Sequence, residues 1–387
     1  MIKKLSVSIL IFCFTLAIIL FSPIKFNKSV KASAAFSVSA QSAYLCDENC
    51  STVIYSKNEK ERLPIASMTK IMLLLLAFEK EEQGSFSFED QITVSKNASG
   101  MGGSQVYLES NKIYSAQDLI KSIIIASAND ASVAIAEHLY GNEENAVDAM
   151  NNRAKQLGMT NTLFSNCTGL MKPTQYSCAR DVAVMLSKLI KYEKYFDYSK
   201  IYTDSITHDG GRETSLTNTN KLVRFYNGCD GGKNGFTNEA GYWLAATAKR
   251  GNTRVISVLI KECDSKTRFA DCSNSFNYAF ENFMAKEVLS KGSEYDVKVK
   301  VASGKTDYVK IGAQRDFYVF GYKNDDDKIT VEFEVNQIVK APVNEGDVLG
   351  KFYVYKKGVL VGEVDAVSLE NIDQMQFLDY VNKIARG

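Results

Sequence analysis

The chain has 387 residues, 45% of them apolar and 24% charged, the proportions of a globular protein with room for one large domain or two ordinary ones. Its 46 Lys and Arg against 45 Asp and Glu leave no basic excess, which argues against nucleic acid as a partner. Two histidines, His138 and His208, and the lack of any C-x-x-C argue against a zinc site, so neither a metal nor another cofactor is expected.

From the N-terminus, Lys3 and Lys4 precede the apolar run LSVSILIFCFTLAIILF, and KASA at 31–34 offers an A-x-A cleavage site. Residues 1–34 therefore read as an export signal, cleaved or retained as an anchor. Either outcome places the chain outside the cytoplasm, in the cell wall or on the outer face of the cytoplasmic membrane. Seven cysteines follow Cys13 of that signal, an odd number that leaves at least one thiol without an internal partner. Cys46 and Cys50 flank Asp-Glu-Asn, placed either to face each other across a hairpin or to act as small apolar fillers.

SAYLCDENCSTVIYS predicts that hairpin, and a helix starts near Pro64. YSAQDLIKSIIIASAND opens with a capping box, Ser115 to Asp118, and stops at Ser127-Ala128-Asn129-Asp130; the helix ASVAIAEHLYG then closes on Gly141. GYWLAATAKRGNTRVISVLIK predicts two antiparallel strands, and TRFADCSNSFNYAFENFMAKEVL an amphipathic helix covering them. Beyond Gly292, Tyr295, Val297, Val299 and Val301 alternate with polar residues, as do Ile329, Val331, Phe333 and Val335. That period of two predicts a small β-sandwich. The expected division is a mixed α+β domain at 35–288, the β domain at 289–371, and an amphipathic tail at 372–387. The tail suits docking on its own domain or peripheral contact with a membrane surface.

The chemistry is carried by three short motifs in order. In LPIASMTKIMLLLLAF (63–78) Ser67 and Lys70 stand one helical turn apart at the head of a strongly apolar run, an arrangement that can make a nucleophile and its base. Alone, Ser-x-x-Lys is weak, because SPIK at 22–25 also matches it. The specificity comes from Ser127-Ala128-Asn129 at a helix junction and from Lys233-Asn234-Gly235 opening the edge strand KNGFT. Taken singly, Asn129 with Asp130 reads as a helix N-cap and Lys233-Asn234-Gly235 as a tight turn; Thr69 and His138 read as structural.

With MGGSQVYL, LTNTNKL, DGGKNGFTNEAGYWLAATA and APVNEGDVLGKFYVY added, the chain resembles the D-alanyl-D-alanine carboxypeptidases of the low-molecular-mass penicillin-binding protein family over roughly residues 40–370. The resemblance implies a penicillin-recognising, β-lactamase-like domain, a helical cluster on an antiparallel sheet, followed by a small all-β domain. It implies a peptidoglycan stem peptide ending in D-Ala-D-Ala as substrate and β-lactam antibiotics as inhibitors. By the same resemblance Ser67 would be acylated, Lys70 would act as its base and Ser127 would pass a proton to the leaving amine. Asn129, Lys233, Asn234, Gly235, Phe236 and Thr237 would hold the substrate, with the backbone N–H groups of Ser67 and Phe236 as the oxyanion hole.

Lys70 is a base only when neutral, so its pKa has to lie far below the ordinary value of about 10.4, through burial and through a second cation, for which Lys233 is the candidate. The family usually carries threonine at position 234 and a branched residue at 232. Asn234 and Gly232 therefore lead to the expectation of a looser strand and a weaker grip on the substrate carboxylate, which leaves a weakly active or inactive wall-associated protein as the alternative. A β-lactamase is disfavoured, because no Asp or Glu occurs from Ala149 to Arg180, where a deacylating carboxylate would be sought.

Overall fold

The computed structural model describes residues 36–386 except 326–327 and 336–337. The export signal and its cleavage site lie outside the described residues.

The predicted hairpin forms from β1 (Ser42–Asp47) and β2 (Val53–Lys57), with a bulge between Leu45 and Cys46. Asp47 closes its bend: the carboxylate accepts from the backbone N–H of Asn49 and Thr52 and from the Ser51 hydroxyl. Three later strands, β3 (Cys229–Thr237), β4 (Gly241–Arg250) and β5 (Thr253–Glu262), complete an antiparallel sheet in the order β2-β1-β5-β4-β3. The strand carrying Lys233-Asn234-Gly235 thus lies at a sheet edge, as its sequence predicts.

Against the sheet lies a helical cluster. Its centre is α1 (Thr69–Glu82), buried continuously from Thr69 to Phe78 because it is apolar all round. At about 1.5–3 kcal/mol for each fully buried large apolar side chain, Ile71 to Leu76 anchor this helix firmly. Ser115 caps α2 (Ala116–Ala126) as its pattern predicts: its Oγ accepts from the Asp118 N–H and donates to the Asp118 carboxylate. After Ser127 and Ala128 the chain re-enters a helix as α3 (Asn129–Tyr140), ended by Gly141 at φ 84°. Next come α4 (Glu143–Gln156) and α5 (Ala179–Leu189), the latter packed between α1 and strands β1 and β5.

The helix α6 (Ser265–Asn282) covers β4 and β5, but it stops seven residues short of its predicted end. Phe283–Leu289 is instead a strand, β6, paired antiparallel with β9 (Phe317–Tyr322) after β7 (Glu294–Ala302) and β8 (Tyr308–Ala313). Long-range contacts override the helical pattern there. Phe283 stacks on Phe320 with ring centroids 5.7 Å apart, and Lys323 N–H donates to the Asn282 carbonyl at the helix end. The β unit thereby draws in residues that a boundary after 288 assigns to the first domain.

That unit has its own core, including Val299, Ile311, Phe352 and Val354. A six-stranded sheet runs β10-β12-β13-β8-β7-β11, with β10 (Ile329–Val335), β11 (Val339–Lys340), β12 (Val348–Lys356) and β13 (Val359–Ser368). The tail is the helix α7 (Phe377–Arg386), whose Phe377, Leu378 and Ile384 are 79%, 71% and 82% exposed, so the described residues leave its apolar face uncovered. Among the described residues no helix is long and apolar enough to cross a membrane.

Candidate active site

Ser67 lies in a single 3₁₀ turn, Ala66–Met68, immediately ahead of α1. Ala66 holds the unusual φ of 40°, and Thr69 Oγ1 donates to its carbonyl at 2.9 Å, so Thr69 is structural as expected. The turn delivers Ser67, half-buried, to the head of the helix and to the backbone of β3: a Cβ on Gly235 would sit 3.1 Å from Ser67 N. Any larger residue would press on the Ser67 turn, which would have to give by a few tenths of an ångström.

One turn into α1, Lys70 is fully buried. Its Nζ lies 3.3 Å from Ser67 Oγ and donates to Asn129 Oδ1 at 2.7 Å and to the Thr168 carbonyl at 2.5 Å. Burial pulls its pKa down to about 7, against the opposing pull of Cys167 and Asp130. Lys233 is buried too, its Nζ without a hydrogen-bond partner among the described residues, and its pKa is also far below the ordinary lysine value, through burial first and repulsion from Lys70 second. Desolvation, rather than the neighbouring cation, is thus the main cause at both amines.

Asn129 is not an N-cap. No side chain caps α3, and Asn129 bridges Lys70 Nζ to the Gly102 carbonyl, to which its Nδ2 donates at 2.7 Å. Asp130 beside it is buried and accepts from the backbone N–H groups of Val106 and Leu108, fixing the 102–108 loop onto the helix junction. Ser127 ends α2 in the left-handed conformation, φ 63° and ψ 31°, with a buried hydroxyl that has no partner among the described residues. An unpaired buried hydroxyl, two residues before the Asn129 that holds Lys70, is the kind of exception that marks a functional site.

On β3, Asn234 turns its Nδ2 to the Thr219 carbonyl at 3.0 Å, while its Oδ1 is buried without a partner. Phe236 is half-exposed and packs on Tyr242 with centroids 4.3 Å apart; Thr237 Oγ1 accepts from the Ala240 N–H, closing the β3–β4 turn. The expectation that Gly232 loosens this strand is not met. Gly232 has φ 127°, a Cβ there would lie 2.2 Å from the Ala245 carbonyl oxygen, and its N–H donates to Tyr195 Oη at 2.9 Å. That φ and that approach admit only glycine, next to the register shift between Cys229 and Gly231, so this residue sits tightly against its neighbouring strand.

Three participants carried no motif. The loop 165–170 supplies the Thr168 carbonyl and presses Gly169, at φ 84°, so tightly on the Ser67 turn that a Cβ would fall 1.9 Å from Ala66 O. Cys167 fixes that loop from behind, its N–H and thiol both donating to Glu143 at the start of α4. The third is Arg268 on α6, which donates to the carbonyls of Gly235 and Trp243, forms no ion pair among the described residues, and is pulled down to about 10 by burial. Its only sequence signal was a basic residue on the face of a helix meant to cover the sheet.

The geometry thus collects a hydroxyl, a buried amine of low pKa, and an excess of buried cations beside an edge strand. A profile described as D-alanyl-D-alanine carboxypeptidase matches residues 28–263, and one for the C-terminal domain of penicillin-binding protein 5 matches 283–374. The chain belongs to the D-alanyl-D-alanine carboxypeptidase family. It is 36% identical to the D-alanyl-D-alanine carboxypeptidase DacF of Bacillus subtilis (strain 168) over 365 residues, 94% of each chain. Among solved structures it resembles penicillin binding protein 5 from Haemophilus influenzae, with TM-score 0.67 and 29% identity over 87% of this chain and 98% of that one. It also resembles Penicillin-Binding Protein D2 from Listeria monocytogenes in an ampicillin-bound form, with TM-score 0.56 and 30% identity over 63% of this chain and 98% of the other. The expected fold is therefore present in both parts, the carboxypeptidase domain and the all-β domain that follows it.

Proposed function

We propose that this serine-type carboxypeptidase acts outside the cytoplasmic membrane, removing the terminal D-alanine from peptidoglycan stem peptides through an acyl-enzyme on Ser67. The observation that carries the reading is the contact of Ser67 Oγ with an amine that burial brings to about pKa 7. Ser67 Oγ attacks the carbonyl carbon of the penultimate D-alanine, and its proton passes to neutral Lys70. The tetrahedral oxyanion is held by the backbone N–H groups of Ser67 and Phe236. Its collapse breaks the peptide bond, and the departing amine takes a proton by way of Ser127. Water then attacks the ester, and the same groups return Ser67 to its starting state.

Buried cations support a substrate that ends in a carboxylate. Among the described residues Lys233 Nζ has no hydrogen-bond partner and Arg268 no ion pair, and Asn234 is anchored next to Lys233 in the strand. A bound carboxylate would offset the burial that disfavours charge at Lys233 and would supply Arg268 with an ion pair. β-Lactams would enter the same site, acylate Ser67 and stay. The exposed apolar row of α7 suits the surface of a membrane, where the substrate is displayed.

The test is mass spectrometry after exposure to penicillin. A lasting adduct on the Ser67 peptide, absent in Ser67→Ala and retained in Ser22→Ala, is expected. Rapid hydrolysis without accumulation would indicate a β-lactamase, and no adduct a binding protein.

A further inference from the structure

We propose that Cys46 and Cys50 are a disulfide site that covalently closes the β1–β2 hairpin. Their sulfurs lie 2.9 Å apart, in direct contact. A disulfide needs about 2.05 Å, so the atoms have roughly 0.9 Å to close, within reach of small side-chain rotations.

The backbone is already arranged for the bond. Cys50 N–H donates to the Asp47 carbonyl at 3.0 Å, and Cys50 takes φ 55°, turning the chain back on itself. The three bonds accepted by the Asp47 carboxylate hold this bend independently of the cysteines. Cys46 belongs to the core beneath the sheet and Cys50 packs against that same core, so both side chains leave the hairpin on one side. The other five thiols have different surroundings: Cys167 donates to Glu143, Cys263 to Asp264, Cys229 to the Gly231 carbonyl, and Cys178 and Cys272 are buried. Pairing Cys46 with Cys50 leaves an odd number of free thiols, as the sequence requires.

The oxidant is an external disulfide, either glutathione disulfide or an exported dithiol–disulfide protein. Half-buried Cys50 reaches it first: its thiolate attacks, one oxidant thiolate leaves, and a mixed disulfide remains on Cys50. Cys46 then loses its proton, its sulfur attacks Cys50 Sγ, and the second oxidant thiolate departs. Two protein thiols become one disulfide, the oxidant disulfide becomes two thiols, and the protein loses two hydrogens. The bend so fixed is one wall of a cavity of about 470 Å³, which it lines together with Arg254, Phe317 and Phe320. Closing the hairpin therefore stiffens the meeting place of the first domain with the β unit. None of this depends on the catalytic roles assigned above.

The purified full chain is equilibrated in glutathione buffers from reducing to oxidising, acid-quenched, denatured, alkylated with N-ethylmaleimide and digested. In oxidising buffer the peptide spanning 46–50 is expected two hydrogens lighter and unalkylated, while none of the five other cysteines past the signal forms an internal disulfide, each carrying an alkyl group or, as at exposed Cys263, a glutathione. In reducing buffer it takes two alkyl groups. In Cys46→Ser it takes one alkyl group in reducing buffer and one glutathione in oxidising buffer, and it never shows the loss of two hydrogens. Two alkyl groups on the wild-type peptide in the most oxidising buffer would overturn the proposal, as would pairing of Cys50 with another cysteine in the wild type.

Discussion

Gly169→Ala isolates the packing that sets the candidate active site. The added methyl would lie 1.9 Å from Ala66 O, 2.3 Å from Ala66 C and 2.8 Å from Ser67 N. Such atoms do not approach within 3.0 Å, so the loop and the Ser67 turn have to part by about 1.1 Å. The same movement carries Thr168 O off Lys70 Nζ and shifts Ser67 Oγ relative to its base. A displacement of about 1 Å at reacting atoms costs on the order of a hundredfold in rate. The left-handed φ of 84° adds about 1–2 kcal/mol of backbone strain. Gly141 provides the control, having the same φ of 84° with nothing within 4 Å of its virtual Cβ. Gly141→Ala carries the strain without the clash. The assay is the second-order rate of acylation by a fluorescent penicillin, with thermal melts to establish folding. Gly169→Ala is expected to fall about a hundredfold and Gly141→Ala to stay within about twofold of wild type. A folded Gly169→Ala that acylates within about fivefold of wild type would refute the packing account.

Acylation of the wild type should rise with pH and level off above about 7, because Lys70 acts only when neutral; a flat profile between pH 5 and pH 9 would count against it as base. The same depression fixes a sign for stability: between about 7 and 10.5 the unfolded chain holds the Lys70 proton and the folded chain does not, so this residue's destabilising effect fades as pH rises. Urea melts should accordingly show Lys70→Met stabilising the protein more at pH 6 than at pH 10. Lys70→Arg should acylate as poorly as Lys70→Ala, since arginine keeps its proton; a rate within tenfold of wild type would make Lys70 an electrostatic anchor. Asn234→Ala leaves the Thr219 carbonyl without its donor and should raise KM for a D-Ala-D-Ala peptide about five- to thirtyfold, read by steady-state release of D-alanine; an unchanged KM would show that the tie does not hold the strand for substrate.

Much of this molecule was legible in the chain because its signals are local. The helix cap at Ser115, the bend after Asp47, the glycine stop at Gly141 and the period-two strands past Gly292 each act within a few residues, and each appears where the pattern put it. The three motifs named Ser67, Lys70, Asn129 and the 233–235 strand, which contact or closely approach one another. Tertiary structure decided the rest. Phe283–Leu289 has the pattern of a helix and becomes a strand, because its partner lies some thirty residues away and no window of sequence contains both. Gly232 reads as a loosening substitution until the strand beside it is in place; only then does the 2.2 Å approach to Ala245 O show that the position admits nothing larger. Thr168, Gly169 and Arg268 were invisible for the same reason. They act through a carbonyl, an absent side chain and an unpaired buried charge, and none of these is written in a residue's identity before the fold surrounds it.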